Sequence, residues 1–333
     1  NTGVATLVFG AASSASGSTG STNGPAVTVL DGGYVPGAPQ TNNRCLQIFN
    51  NGAFVHGFTL SNGALLANAN DIRGGGLWLR RGVVSNCHIR NNRVFVQSGT
   101  SCGGGGIGLS PFLTANTCVL KDSWVTDNVV SGITASAVGL GGGLYGFGTV
   151  MNCVFSNNTA HGQTADSGGG GLYLISSALV QSSMISHNPA GCAAVGGGAF
   201  LPDGAQLIGS TVMLNVAQSS GGGLAVRGAV ISNCVVSGNV SVAEFGGGLW
   251  MRPTADSTAV KVHQTTFTRN ISTNWSCVYF YTADNSKYSL MDRCVIEQSV
   301  GPGIVIKAGT NNYLLHTIVR DNSGPGILCE KNT

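Results

Sequence analysis

Gly-Gly-Gly triplets end at Gly76, Gly106, Gly143, Gly171, Gly198, Gly223 and Gly248, at intervals of 30, 37, 28, 27, 25 and 25 residues. Each triplet leads into an alternating apolar stretch such as Leu77-Trp78-Leu79 or Leu172-Tyr173-Leu174. A self-similar period of this length marks a repeat architecture, in which each unit is too small to bury its own core and stacks on its neighbours. Glycine costs about 1 kcal/mol per residue against alanine inside a helix. Runs of three therefore exclude a helical solenoid.

A second ladder runs half a repeat out of phase. A small or thiol residue is followed two positions on by an apolar residue and five positions on by asparagine. The members are Cys87/Ile89/Asn92, Ser123/Val125/Asn128, Cys153/Phe155/Asn158, Ser183/Ile185/Asn188, Ser210/Val212/Asn215, Cys234/Val236/Asn239, Thr265/Phe267/Asn270 and Thr317/Val319/Asn322. Gly57/Thr59/Asn62 is read as the opening member, with Thr59 an exception to the apolar rule, and Cys294/Ile296/Ser299 as a degenerate one.

Apolar residues alternate with period two inside each unit, the signature of short half-buried strands. A coil of this length predicts about three strands and three corners, hence an all-β parallel β-helix of about ten coils spaced near 4.8 Å. Triplet glycines are expected at a tight corner that needs positive φ and close backbone approach. The asparagines are expected to join their amides from coil to coil and to tolerate the left-handed corner. The Cys/Ser/Thr slot reads as a narrow inward position for small side chains.

The chain of 333 residues has 52 glycines but only 16 basic and 13 acidic residues, for a net charge of +3. No basic stripe favours nucleic acid, and no run of 18 apolar residues favours a membrane span. Residues 1–44 read as an atypical first coil or cap around a Ser/Gly-rich loop at 11–24. Residues 45–333 read as one elongated repeat domain. Starting at Asn1 without a leader fits a processed protein or a fragment. No amphipathic helix follows the last repeat, so the final coil is expected to be open, and an open strand edge invites end-to-end pairing.

Ten cysteines in a low-charge, Gly/Ser/Thr/Asn-rich chain point to an extracellular or cell-surface setting. Cys87, Cys153, Cys234 and Cys294 share the small-residue slot and are expected as buried thiols. Cys102 and Cys118 bracket a long insertion and are the candidate disulfide. No CxxC or clustered His/Cys spacing implies a metal, and no cofactor is expected. Among the sequons, Asn157-Asn158-Thr159, Asn239-Val240-Ser241, Asn270-Ile271-Ser272 and Asn274-Trp275-Ser276, those at Asn239 and Asn270 fall on the ladder and are expected to be buried. Asn274 is the better glycan candidate.

If Leu77 and Leu79 face inward, Trp78 faces out. The same slot then holds Trp78, Gly108, Tyr145, Tyr173, Phe200, Ala225, Trp250 and Tyr279, an aromatic stripe suited to a protein surface or to sugar rings.

The pairing of GGG[LIA] with [FVI]xxN, complete in Phe155-Ser156-Asn157-Asn158 and Phe267-Thr268-Arg269-Asn270, resembles the repeat of polymorphic outer-membrane proteins. Together with Gly57-Phe58-Thr59-Leu60-Ser61-Asn62-Gly63, the style is similar to secreted right-handed β-helices of the pectin-lyase-like superfamily. The resemblance spans roughly residues 45–329. It implies a right-handed single-stranded helix, surface display and adhesion, but no autotransporter barrel is present in the chain. The superfamily also includes enzymes, yet its NTD, DD, GHG and RIK signatures are absent. Asp122 and Asp127 are the nearest approach to an acidic cluster, Asp127 and Asp321 read as solvated corner groups, and the histidines lie on different coils. Three functions follow: a structural β-helix assembling end to end into an extracellular fibre; an adhesin binding glycans through the aromatic face; and a polysaccharide lyase or hydrolase. The first is the leading expectation.

Overall fold

The computed structural model describes residues 6–8, 28–36, 43–49, 52–67, 73–97, 101–110, 118–162, 164, 167–192, 194–253, 259–273, 276–281, 288–307 and 311–330. The fold is a right-handed parallel β-helix whose named strands all pair in parallel across successive coils.

Three eleven-stranded sheets form the walls. Sheet I collects the strands that follow the seven triplets and their counterparts in the flanking coils, from Leu46–Ile48 to Ile327–Glu330. Sheet II runs from Thr6–Val8 to Asn312–Leu315, and sheet III from Thr28–Asp31 to Ile318–Arg320. Thr6–Val8 pairs with Phe54–His56, and Thr28–Asp31 with Phe58–Ser61, so both early strands continue the sheets. The loop at 11–24 and Asn274 lie outside the described residues. Among the described residues no helix is long and apolar enough to cross a membrane.

The coil has more strands than the repeat predicts. An eight-stranded sheet IV, from Ala64–Ala67 to Ile271–Ser272, adds a fourth wall. Its later strands, such as Val216–Ala217, are only two residues long, too short to show a period. At its longer end it carries a satellite core of Leu65, Val94, Val96, Cys102, Val130 and Ala137, separate from the main one.

The main core alternates as the strands do. Leu77, Leu79, Val84, Ile89, Phe155 and Phe267 point inward and are fully buried. Each such side chain contributes about 1.5–3 kcal/mol relative to exposure. Corners are made by left-handed residues stacked coil on coil. One row contains Asn86, Asp122, Asn152 and Asn233, and another Asn91, Asp127, Asn157, His187 and Leu214. Asn and Asp adopt this region more readily than other L residues.

The asparagine ladder sits one position further inside. Asn92, Asn128, Asn158, Asn188, Asn215, Asn239 and Asn270 have no exposed surface. At Asn215, Oδ1 accepts the backbone N–H of Asn188 and its Nδ2–H, each at 2.9 Å. Its Nδ2 donates to Asn239 Oδ1 and to the Ile185 carbonyl, also at 2.9 Å. Every polar atom of the amide is thereby used, which is what makes burial tolerable. Ser299 continues the row by accepting from the Asn270 N–H, and Asn322 follows it.

Two expectations about the ladder are corrected. The left-handed conformation belongs to the residue before each ladder asparagine, not to the asparagine itself. Asn62 is not a ladder member. Ser61 pairs with Arg90, so Asn62 falls beside Asn91 at the corner (φ 58°), and Gly63 takes the ladder position, its N–H donating to Asn92 Oδ1. With the register shifted by one, the Thr59 exception disappears. Leu60 is the inward residue and Phe58 fills the Cys87 slot.

Candidate functional site

The outer row of sheet I is in register through Trp78, Gly108, Tyr145, Tyr173, Phe200, Ala225, Trp250 and Tyr279. It is not an open stripe. Phe200, Trp250 and Tyr279 are buried, while Trp78, Tyr145 and Tyr173 are half-buried. The turn preceding each triplet leans over the row, and Val195 and Phe245 from two such turns pack with Phe200, Ala225, Trp250, Tyr279 and Val305 into a second small core. Tyr173 stacks on Phe200 at 4.5 Å and Phe245 on Tyr279 at 4.3 Å between ring centroids. These contacts use ring faces that a ligand would otherwise meet.

Arginines close the earlier coils. Arg44 and Arg80 lie 5.0 and 5.4 Å from the Trp78 ring centre, and Arg73 lies 4.8 Å from that of Tyr145. Gly108 leaves the gap that Arg73 fills, because a Cβ there would stand 2.5 Å from the Arg73 Cβ. Arg227 covers Phe200 at 5.2 Å. Such cation–π contacts contribute about 0.5–1 kcal/mol each where exposed.

Further along, the row opens into a cleft of about 310 Å³ lined by Glu244, Phe245, Trp250, Arg252, Tyr279, Tyr281 and Lys307. Trp250 and Arg252 alternate onto one face of their coil, and Tyr279 and Tyr281 onto the same face of the next. Tyr281 pairs with Lys307 of the coil after that. Arg252 lies between two rings, 5.8 Å from Trp250 and 5.7 Å from Tyr281. Glu244 comes from the turn before the triplet. Its Oε2 accepts the hydroxyls of Ser219 (2.6 Å) and Ser220 (2.8 Å), which fixes the carboxylate in place. Lys307 Nζ is 3.6 Å from Glu330 Oε2. Burial, with the Glu330 charge behind it, pushes the Tyr279 hydroxyl pKa up and keeps it a neutral donor.

The cleft thus combines apolar ring faces, two cations and a fixed anion. With Glu330 paired to Lys307 the charges balance, so it offers donors and acceptors side by side rather than a field of one sign. A few placed polar groups among aromatic walls is the usual make-up of a small-ligand site. Trp250 and Tyr279 were legible from the repeat; Glu244, Phe245, Arg252, Tyr281 and Lys307 were not singled out. The alternation Tyr279-Phe280-Tyr281 carried a signal for Tyr281.

A family model described as a right handed beta helix region matches residues 203–333. The matched stretch holds the whole lining of the cleft. No curated protein matches the chain.

Other candidates lie apart from the cleft. His316 Nδ1 is 2.9 Å from Asp292 Oδ1, and His263 Nδ1 is 3.9 Å from Asp292 Oδ2, so one carboxylate is flanked by imidazoles from two other coils. Among the described residues no group of three His, Cys, Asp or Glu is placed to hold a metal ion. Asp122 and Asp127 both stand at exposed corners, and Asp122 Oδ1 accepts from Asn152 Nδ2.

The Cys102–Cys118 bridge is not formed. Cys102 belongs to the satellite core and Cys118 to the main one, where its thiol donates to the Leu79 carbonyl at 3.3 Å. The slot cysteines behave as hydroxyl analogues. The Cys153 thiol donates to the Met151 carbonyl, as Ser183 Oγ does to that of Gln181.

Proposed function

We propose that this β-helix is a secreted or surface-displayed glycan-binding protein whose site is the cleft at Trp250, Arg252 and Tyr281. The observation that carries the reading is the Arg252 guanidinium between two aromatic rings, in a cleft also lined by a carboxylate held by two serines. Sugar rings present apolar C–H faces that pack on aromatic rings, and hydroxyls that both donate and accept. A site whose two cations are balanced by Glu244 and by Glu330 beside Lys307 suits a neutral saccharide. The likeness of the repeats to those of polymorphic outer-membrane proteins supports display at a surface. Among the described residues Glu244 is the one carboxylate lining the cleft, which favours binding over acid–base cleavage.

Glycan-array binding by the intact chain, repeated with Trp250→Ala and Arg252→Ala, tests this. Binding of saccharides that both variants lose, without release of reducing ends or unsaturated products, is the expected result. Retained binding in both variants would remove the cleft from consideration.

Assembly into a fibre is a second reading. It is favoured by an exposed row on sheet III, where Trp124, Val154, Met184, Thr211 and Val235 stand in register. Trp124, Met184 and Val235 are exposed, and apolar rows of this kind mark contact surfaces. Sedimentation velocity without added ligand separates the two, since a fibre former polymerises and a monomeric adhesin does not.

A further inference from the structure

Four Asn-x-Ser/Thr motifs occur in the chain, and the fold treats the three whose asparagine is described very differently. Asn239 and Asn270 are ladder residues with no exposed surface. The side-chain nitrogen of Asn239 donates to Asn270 Oδ1 and to the Val212 carbonyl, each at 3.0 Å. That of Asn270 donates to the Val236 carbonyl at 2.9 Å and to Cys277 Sγ at 3.5 Å. Asn157 is the reverse case. It stands one position before the ladder, at an exposed left-handed corner (φ 55°) between sheets III and IV, stacked between Asp127 and His187.

We propose that asparagine-linked glycosylation at Asn239 or Asn270 is mutually exclusive with this fold, and that among the described residues Asn157 is the position where a glycan attached before folding is compatible with the folded chain. The inference is independent of the ligand read for the cleft. The reaction draws on an oligosaccharide joined to a lipid pyrophosphate. The Asn Nδ2 attacks the sugar C1, the C1–O bond to the pyrophosphate breaks, the lipid pyrophosphate leaves, and the amide nitrogen loses one proton. The modified nitrogen keeps a single hydrogen. At Asn239 this removes one of two buried hydrogen bonds and places a sugar ring where the next coil must stack. A buried partner left unsatisfied is costly in itself, and the ring has no volume to occupy. At Asn157 the same transfer adds a sugar outside the corner and leaves the ladder atoms of Asn158 untouched.

The motifs also arise from the fold. The ladder asparagines from Asn92 to Asn270 are followed by the first residues of sheet IV, where Ser241 and Ser272 are buried and donate to the Ser219 and Glu244 carbonyls. The transferase meets the chain before folding, so burial gives these sites no protection. It follows that the chain reaches its native state by a route without this modification at Asn239 and Asn270.

The test is expression through a glycosylating eukaryotic secretory pathway, compared with bacterial cytoplasmic expression of the same full chain. The wild type and the double variant Ser241→Ala/Ser272→Ala are compared, and each site is read by mass spectrometry after enzymatic deglycosylation in heavy-oxygen water. Expected in the secreted, cooperatively unfolding fraction are an occupied Asn157 and no occupancy at Asn239 or Asn270. Chains modified at the ladder should appear only in the retained fraction, and the double variant should shift material from retained to secreted. Bacterial expression controls for the two lost hydroxyls, because there any destabilisation that their loss causes is read without a glycan. Secreted, cooperatively folded wild type with Asn239 or Asn270 occupied would overturn the exclusion. An unoccupied Asn157 beside occupied ladder sites would overturn its assignment as the acceptor.

Discussion

Gly198 and Asn215 face each other across the inside of one coil, and the space between them admits no side chain. A Cβ on Gly198 would stand 2.9 Å from Asn215 Nδ2 and 2.7 Å from the carbonyl oxygen of Gly223 in the next coil. The same relation joins Gly171 to Asn188 and Gly223 to Asn239, each with an asparagine amide 3.0 Å away. The glycine and asparagine ladders, separate in the sequence, are thus one packing unit. Gly198→Ala is expected to destabilise the protein by about 1–3 kcal/mol, the usual range for overpacking. Urea denaturation measures it, and an unchanged midpoint would show that the coil yields.

Removing the other side of this contact should cost more. Asn215→Ala leaves the Asn188 backbone N–H and one Asn188 Nδ2–H without their acceptor and the Ile185 carbonyl without the Asn215 donor, while Asn239 Oδ1 keeps only the backbone N–H of residue 215. Buried groups left unpaired cost about 1–3 kcal/mol each. The loss at Asn215 should therefore exceed that of Asn322→Ala, where the residue is only partly buried. Equal losses at the two positions would contradict the network.

Leu214 is a contrary case, a non-glycine residue at φ 54° with its side chain 44 % exposed. Left-handed backbone costs a leucine roughly 1–2 kcal/mol, and its neighbours in the row are Asn157, His187, Gly238 and Arg269. Leu214→Asn should stabilise by up to about 1 kcal/mol, visible as a raised midpoint. A lowered midpoint would mean that the Leu214 contact with Gly238 outweighs the backbone strain.

These ladders account for how much could be read in advance. Asparagine recurs five positions after a small slot because the corner geometry is identical in every coil, so Asn92 to Asn270 were legible. Asn62 was misplaced because Gly63 supplies only an N–H at the ladder position, and a glycine leaves no side-chain signature there. The fourth wall was hidden by strands as short as Val216–Ala217. The cleft was only half legible. Trp250 and Tyr279 repeat with the coils, but Glu244 and Phe245 come from an irregular turn, and Lys307 meets Tyr281 only once the register is known.

Asp292 provides a pH dependence. The His316 hydrogen bond is the main influence holding its carboxyl below the usual range, desolvation opposes it, and the Arg293, His316 and His263 charges add to the lowering. A folded-state pKa below the unfolded value of about 3.9 gives stability that is present above that value and lost as pH falls through the folded one. The deficit of Asp292→Asn relative to wild type should therefore be seen at pH 6 and fade below about pH 4. Thermal unfolding across that range checks it, and a deficit that persists at pH 2 would assign the effect to packing.

The thiols should divide by burial. Burial pushes Cys118 and Cys153 up to about 12 and Cys277 and Cys294 up to about 11, so they hold almost no thiolate at pH 8. Cys192 and Cys329 are exposed. Brief iodoacetamide treatment of the native protein should label these two and spare the slot cysteines. Cys153→Ser should fold normally, because the hydroxyl can make the bond to Met151 that the thiol makes now. Labelling of Cys153 at the rate of Cys192 would show that the coils open.

Within the cleft, Arg252 and Phe245 should answer different questions. Arg252→Lys keeps the charge but removes the planar group lying between Trp250 and Tyr281, so saccharide binding should fall by several-fold if stacking and paired donors matter. Phe245→Leu uncovers part of the Tyr279 ring while keeping most of the apolar contact, so affinity should hold or rise while stability falls by about 1 kcal/mol. Isothermal titration with the best saccharide from the array, run beside thermal unfolding, separates the two effects. If Arg252→Lys binds as wild type does while Phe245→Leu loses binding, the ligand rests on the turn before the triplet rather than between the two rings.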